Sequence, residues 1–175
     1  VRIMTTLLGP EKFRDGCDLY FARHDGTAAT VENFVKAMED AGGLDLGVLR
    51  RWYSDAGTPK VSAESTYADG TATLTLRQRI APTPNQPEKP PRHIPVAYAL
   101  YGAKSGSKLD SGILEMTEPS ATRRFDALKE RPVFSLLNGF SAPVTLDQEL
   151  SLDERLFLAA RDEDLFSRWS VTEGL

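Results

Sequence analysis

Cysteine occurs once in these 175 residues, at Cys17, and histidine twice, at His24 and His93. A lone cysteine has no internal partner, so no disulfide framework holds the chain, and the usage fits a reducing, cytoplasmic compartment. Long apolar runs are missing too. No stretch approaches the roughly 20 residues that a bilayer-spanning helix needs. The first residues, VRIMTTLLG, carry neither the charged leader nor the cleavage signature of a signal peptide, and no Met opens them. The expectation is a segment cut from something longer. Positive charge is also scarce, with 21 Lys and Arg against 25 Asp and Glu, a net charge of −4 and a pI near 5.3. Binding to phosphates is driven by clustered Lys and Arg, so this balance argues against a nucleic-acid partner. Arg50-Arg51 and Arg123-Arg124 stand alone and read as surface or locally paired charge.

Motifs that carry chemistry are scarce as well. The chain has no H-E-x-x-H, no glycine-rich phosphate loop and no G-x-S-x-G elbow. His24-Asp25 invites a reading as half of a metal or catalytic pair. Adjacent residues seldom aim at one atom, however, and no third ligand follows at helical spacing, so a structural or surface histidine is the better reading. Cys17 falls on an apolar helical stripe, which makes it an inert thiol rather than a nucleophile. Glu39-Asp40, Asp153-Glu154 and Asp162-Glu163-Asp164 read as caps or solvated faces without an opposing acid or base. No catalytic, metal-binding or substrate-binding residue is therefore assigned.

What the chain does have is patterning. It is 41% hydrophobic and 26% charged, as a globular protein is. From Val1 to Ala56 the apolar residues recur at helical spacing. Pro10 suits a first helical turn, and Phe13, Cys17, Tyr20 and Phe21 form a stripe. Thr30 is placed to cap a second helix whose stripe is Val31, Phe34, Val35 and Met38 and whose end is Gly42-Gly43. Asp45 caps a third, with Leu46, Leu49, Trp52 and Tyr53 apolar and Gly57 past its end. After Pro59 the period drops to two. KVSAESTYADGTATLTLRQR is a hairpin around Asp69-Gly70, HIPVAYALYG alternates, and short strands are expected at Ile113–Met116, Thr122–Ala127, Val133–Leu137 and Pro143–Gln148. About seven short strands predict a two-sheet sandwich between helical segments, a mainly β fold with flanking α. The proline-rich APTPNQPEKPPRHIP reads as an extended, stiff crossing; its P-x-x-P at Pro84 to Pro87 is the weaker, ligand-like reading. SLDE at Ser151 is a capping box, followed by Leu152, Leu156, Phe157, Ala160, Phe166 and Trp169 as an apolar surface with little to pack on.

Several stretches together resemble a known family. LLGPEKFRDGCDLYFARHDGTAATVENFVKAMEDAGGLDLGVLRRWYSDAGTPKVS, QRIAPTPNQPEKPPRHIPVAYALY, LLNGFSAPVTL and EDLFSRW are similar, in order, to the bacterial alanyl aminopeptidase (aminopeptidase N) family of zinc metallopeptidases. The resemblance implies that residues 1–57 end a catalytic domain, 58–149 form an immunoglobulin or fibronectin III-like sandwich, and 150–175 begin a helical C-terminal domain. It implies zinc in the parent protein, held by H-E-x-x-H and a distant Glu, with a G-x-M-E-N stretch for the substrate amine and a Tyr for the tetrahedral intermediate. All of these are expected upstream of Val1. KAMED, Lys36 to Asp40, imitates that stretch but has Lys for Gly and Asp for Asn, on an amphipathic helix. No functional residue is carried over. The sandwich would act as a spacer, its partners being the other domains of the parent, with self-association through exposed terminal helices (Phe34, Met38, Leu156, Phe157). The competing expectations are a free-standing sandwich adaptor that binds peptide or protein through sheet edges or the proline-rich loop, and an independent hydrolase using His24.

Overall fold

The computed structural model describes residues 1–173; the last two residues of the segment expected at 150–175 lie outside it. Two compact units divide the chain, Val1–Ser54 and Asp55–Leu175. The first is helical: α1 (Arg2–His24), α2 (Val31–Gly42) and a 3-10 turn at Val48–Arg50 that runs into the single turn α3 (Arg51–Ser54). Gly9, at φ 76 and ψ 164, breaks α1 in two, and Pro10 begins the second part. Pro is accepted there because a first-turn N–H has no helical partner. Thr30 caps α2 as expected, in a reciprocal box with Asn33, and Gly43 ends it at φ 65.

Packing inside this unit departs from the stripe read off the sequence. Phe21 is 60% exposed and Cys17 only half-buried. Two glycines permit the close approach of the helices. A Cβ on Gly16 would stand 2.5 Å from Met38 Sδ, and one on Gly42 2.1 Å from a Leu8 methyl. Close helix approach therefore depends on two residues that carry no hydrophobic signal. Met38, expected to be an exposed apolar residue, is fully buried, and Phe34 meets Tyr20 and Phe13 edge-on, ring centroids 5.3 and 6.5 Å apart. The third helix is shorter than its pattern predicts. Asp45 accepts from Gly47 N–H at 2.7 Å in a local turn, and Tyr53 is 51% exposed. Arg50 closes the unit, bonded to Glu32 and Glu39 of α2, while Glu39 also accepts from Leu46 N–H.

The second unit is a sandwich. Its seven strands are β1 (Lys60–Ala68), β2 (Thr71–Arg79), β3 (Ile94–Gly102), β4 (Lys108–Met116), β5 (Ser120–Phe125), β6 (Pro132–Leu136) and β7 (Thr145–Gln148). They form a four-stranded sheet in the order β5-β2-β1-β7 and a three-stranded sheet in the order β4-β3-β6. All pairings are antiparallel except β1 with β7. The β1–β2 hairpin turns on Asp69 and Gly70, both at positive φ, the pattern of a type I′ turn matched to strand twist. Val61, Ala72, Leu74 and Leu76 face Ile94, Val96, Tyr98, Leu100 and Met116 across the core, all buried. Phe125 sits between Tyr98, which it meets edge-on, and a tilted Phe134, with centroids 5.6 Å from each.

The other face of the three-stranded sheet is covered as well. α4 (Leu152–Arg161) and α5 (Leu165–Thr172) follow the last strand, and Ser151 and Glu154 cap α4 reciprocally. Leu158 packs with Ala99, Tyr101 and Val133, flanked by Leu150, Phe157 and Val171. That is why β3 is buried on both faces, where alternation predicts one. Leu158, absent from the apolar surface read off the sequence, is the residue that binds α4 to the sheet. Leu152, Leu156, Leu165 and Trp169 remain between 51% and 75% exposed.

Two expectations follow. Leu158→Ala removes a fully buried side chain and should destabilise the second unit by about 2–5 kcal/mol, whereas exposed Leu156→Ala should change it by less than about 0.5 kcal/mol, both read by urea unfolding. In the helical unit, the Arg50 guanidinium bonded to Glu39 holds that carboxyl below its ordinary value of 4.5. A depressed folded-state value stabilises above the unfolded value and is lost as pH falls through the folded one. Helicity of Val1–Ser54 should therefore weaken below about pH 4.5, and Arg50→Met should flatten that acid response in a circular-dichroism titration.

Candidate functional site

His24 lies at the end of α1 in the first unit, beside Tyr20 with ring centroids 5.5 Å apart. His93 lies in the second unit, 3% exposed, its Nε2 3.0 Å from Glu115 Oε2. The structure gives each a local partner within its own unit. Lys36 of the G-A-M-E-N look-alike pairs with Asp40 at 2.9 Å, and Met38 is packed inside. Asp164 caps α5, accepting from Ser167 N–H at 2.8 Å. Among the described residues, no three His, Cys, Asp or Glu side chains converge as a metal ion requires, and no helix is long and apolar enough to cross a membrane.

The most elaborate polar constellation stands where the second unit begins. Arg92 is completely buried. Its Nη1 pairs with the Asp55 carboxylate, and its Nη2 donates to the carbonyls of Asp55 and Ala56 at 2.9 and 3.2 Å. Gln78 grips the backbone of the same residue from both sides. Its Oε1 accepts from Arg92 N–H at 2.8 Å, and its Nε2 donates to Arg92 O and to Glu118 O, each at 2.9 Å. Lys89 adds a second clamp, donating to Ala56 O at 3.0 Å and to Thr83 Oγ1 and Gln86 Oε1 at 2.6 Å. Gln86 Oε1 also accepts from Ala56 N–H at 2.8 Å. A planar guanidinium buried on a carboxylate and two carbonyls is fixed in orientation as a flexible ammonium would not be.

The proline-rich segment supplies these groups because it is folded back, not extended throughout. Thr83 and Gln86 exchange two backbone bonds, with Pro84 and Asn85 at the corners and Asn85 at φ 64. Proline first and a positive φ second is the pattern of a type II turn. The stiff-crossing expectation is corrected to that extent. Gly57, expected to cap the third helix, lies three residues beyond α3 at φ 97, where a Cβ would sit 3.0 Å from Ile80. It lies instead at the start of the second unit.

A second network anchors the C-terminal helices. Asp162, 3% exposed, accepts from Tyr101 Oη at 3.0 Å, from Asp164 N–H at 2.9 Å and from the Ser135 hydroxyl. Tyr101 Oη in turn accepts from Glu163 N–H at 3.0 Å. Burial, together with the neighbouring carboxylates, pushes the Tyr101 phenol up to about 12, so it is a donor at any physiological pH. Asn138 links Ser135 and Ser167 at 2.7 and 2.9 Å. Both networks hold backbone in place.

Sequence reasoning missed Arg92 and Gln78, yet a signal was present. Ala72, Leu74 and Leu76 set the core-facing parity of β2, and Gln78 continues it. Ile94, Val96 and Tyr98 set that of β3, and Arg92 precedes it in the same phase. Polar residues on a core-facing phase at strand ends call for buried partners.

A seven-stranded, two-sheet sandwich with anchored flanks places the second unit among immunoglobulin-like folds. Residues 57–149 match the family described as a domain of unknown function, DUF3458, with an Ig-like fold, and the chain belongs to that family. Over its whole length it is 44% identical to aminopeptidase N of Escherichia coli K12, aligned over 185 residues, and 44% identical to aminopeptidase N of Caulobacter vibrioides. The chain spans about a fifth of those relatives, 21% and 20%. Among solved structures, a Legionella pneumophila aminopeptidase A in complex with aspartic acid superposes with a TM-score of 0.87 at 26% identity, covering 99% of this chain and 20% of that one.

Removing the buried cation should be costly. Arg92→Ala leaves Asp55 and two carbonyls facing a void, and breaking one side of such a pair costs about 3–5 kcal/mol. Urea unfolding of the second unit measures it, and amide exchange at Ala56 should accelerate with it.

Proposed function

We propose that this chain is a non-catalytic region of a zinc-dependent aminopeptidase N, a hydrolase that removes N-terminal residues from peptides. The observation that carries the reading is the 44% identity across the entire chain and about a fifth of the relative. In this reading, residues 1–57 close the catalytic domain, 58–149 are the sandwich, and 150–175 open the helical C-terminal domain. In this reading the metal and the reacting groups belong to the remainder of the parent, in keeping with the described residues, where no three His, Cys, Asp or Glu side chains converge as a zinc ion requires.

The sandwich then serves as a spacer, and the parent's remaining domains are its partners. Support comes from the two anchored ends. The Arg92 and Lys89 clamps hold Asp55 and Ala56 on the sandwich where the chain enters, and the Asp162 network holds the helices where it leaves. Rigid ends transmit position, and catalysis is sensitive to misplacement of about 1 Å. The solitary Cys17 supports a reducing, cytoplasmic setting.

The encoding gene tests this reading. An open reading frame that continues upstream through H-E-x-x-H is expected; a start codon near Val1 would sink it in favour of a free-standing adaptor. The isolated 175-residue chain should retain no stoichiometric zinc and cleave no alanyl anilide, and activity that persisted through purification would overturn the assignment.

A further inference from the structure

β1 is nine residues long, but its outer neighbour is not. β7 pairs with Lys60–Ala63 only. From Glu64 to Ala68 the strand is bonded to β2 on one side, and among the described residues no other backbone reaches its opposite edge. A sheet edge of this kind is a template for one more strand. Glu64, Ser65, Thr66 and Ala68 are exposed.

A trench runs beside that edge. A cavity of about 530 Å³ is lined by β1 from Ser62 to Ser65, by the segment after β7 and by β6. A second, of about 340 Å³, continues it along Ser65, Thr66 and Tyr67. The two share Ser65, Arg131, Pro132 and Phe134. Leu74 and Phe134, at 1% and 3% exposure, lie at the inner wall. Five strand residues at about 3.3 Å each give an edge of roughly 17 Å, room for five residues of an extended ligand.

The charge of the trench selects the ligand. Its ionisable lining is Glu64, Asp147, Glu149 and Glu154 against Arg131 alone. Arg131 is committed to Glu154 at 2.8 Å, and Glu64 and Asp147 meet Arg77 and Lys60 in pairs whose side chains are more than half exposed. Such exposed pairs are weak and readily shared with another cation. Glu149 is in no salt bridge among the described residues, and it is exposed. A surplus of carboxylates beside unsatisfied backbone groups fits an extended peptide with basic side chains on one face and apolar ones on the other.

We propose that the β1 edge from Glu64 to Ala68, with its acidic trench, binds an extended basic peptide segment by strand addition. Main-chain bonds supply the affinity and alternate side chains the selectivity. The site does not depend on the aminopeptidase reading, since it is built within the sandwich.

The test uses the 175-residue chain and a fluorescein-labelled peptide of about eight residues alternating lysine and valine. Anisotropy should report saturable binding that weakens with salt. Replacing the lysines by glutamates should abolish it, and Glu149→Lys, an exposed change checked by circular dichroism to leave the fold intact, should raise Kd at least about threefold. Amide exchange should slow on peptide addition at residues 64–68 and not along β4, the edge of the other sheet that lies away from the trench. The proposal is overturned by equal binding of the lysine and glutamate peptides, by no binding at about millimolar peptide, or by protection elsewhere with 64–68 unchanged. Protection of 64–68 without peptide, accompanied by dimers in sedimentation, would assign the edge to a second copy of the chain and overturn it equally.

Discussion

Arg92 carries a full positive charge in a place that water does not reach. Taking a guanidinium out of water costs several kcal/mol, so the surroundings must return that energy through placed acceptors. Here they are the Asp55 carboxylate and the carbonyls of Asp55 and Ala56, all at the first turn of chain after the helical unit. The requirement propagates. Gln78 holds the Arg92 backbone at the end of β2, and Glu118 O shares the same amide, so the clamp reaches the start of β5 through Pro119 O and Gln78 N–H. One buried cation thus ties the entry of the chain to strands that are far apart in sequence.

The exit is built from a different chemistry with the same outcome. Asp162 is a buried carboxyl group satisfied by a phenol, a hydroxyl and a backbone N–H rather than by a cation. Around it Leu158, Phe157 and Val171 cover the outer face of the three-stranded sheet. Immunoglobulin-like sandwiches commonly leave such a face to water. Here it is covered because α4 and α5 follow β7 directly, and this accounts for a central strand, β3, that is apolar on both sides. The residues left outside, Leu152, Leu156, Leu165 and Trp169, form a separate exposed face on the same helices.

Between its two anchors the sandwich carries little that resembles chemistry and much that resembles construction. Several of its titratable groups are held by local partners: His93 by Glu115, Glu130 by the amides of Lys104 and Ser105, Tyr98 by Asp110. The exception is the β1 edge. There β7 stops after four residues, and backbone groups that a longer strand would have satisfied face an acidic trench.

The sequence by itself determined the strands, the main helices, the hairpin and the caps of α2 and α4. Those follow from local rules: period two after Pro59, Asp69-Gly70 at a turn that needs two positive φ values, and Thr30 and Ser151 where first-turn N–H groups need acceptors. The absence of motifs was equally legible, and so was the family, because long ordered stretches were similar. Only the tertiary structure decided which helical faces were buried. At Gly16 and Gly42 the helices α1 and α2 leave no room for a Cβ, and glycine has no hydrophobic signal to read. Only the fold revealed which groups satisfy Arg92, because they lie 37 and 36 residues away and no local pattern encodes such a pairing. The short reach of β7, which leaves half of β1 open, was likewise settled by long-range register. Local sequence specifies the shape of each element, and burial is a property of what the rest of the chain brings beside it.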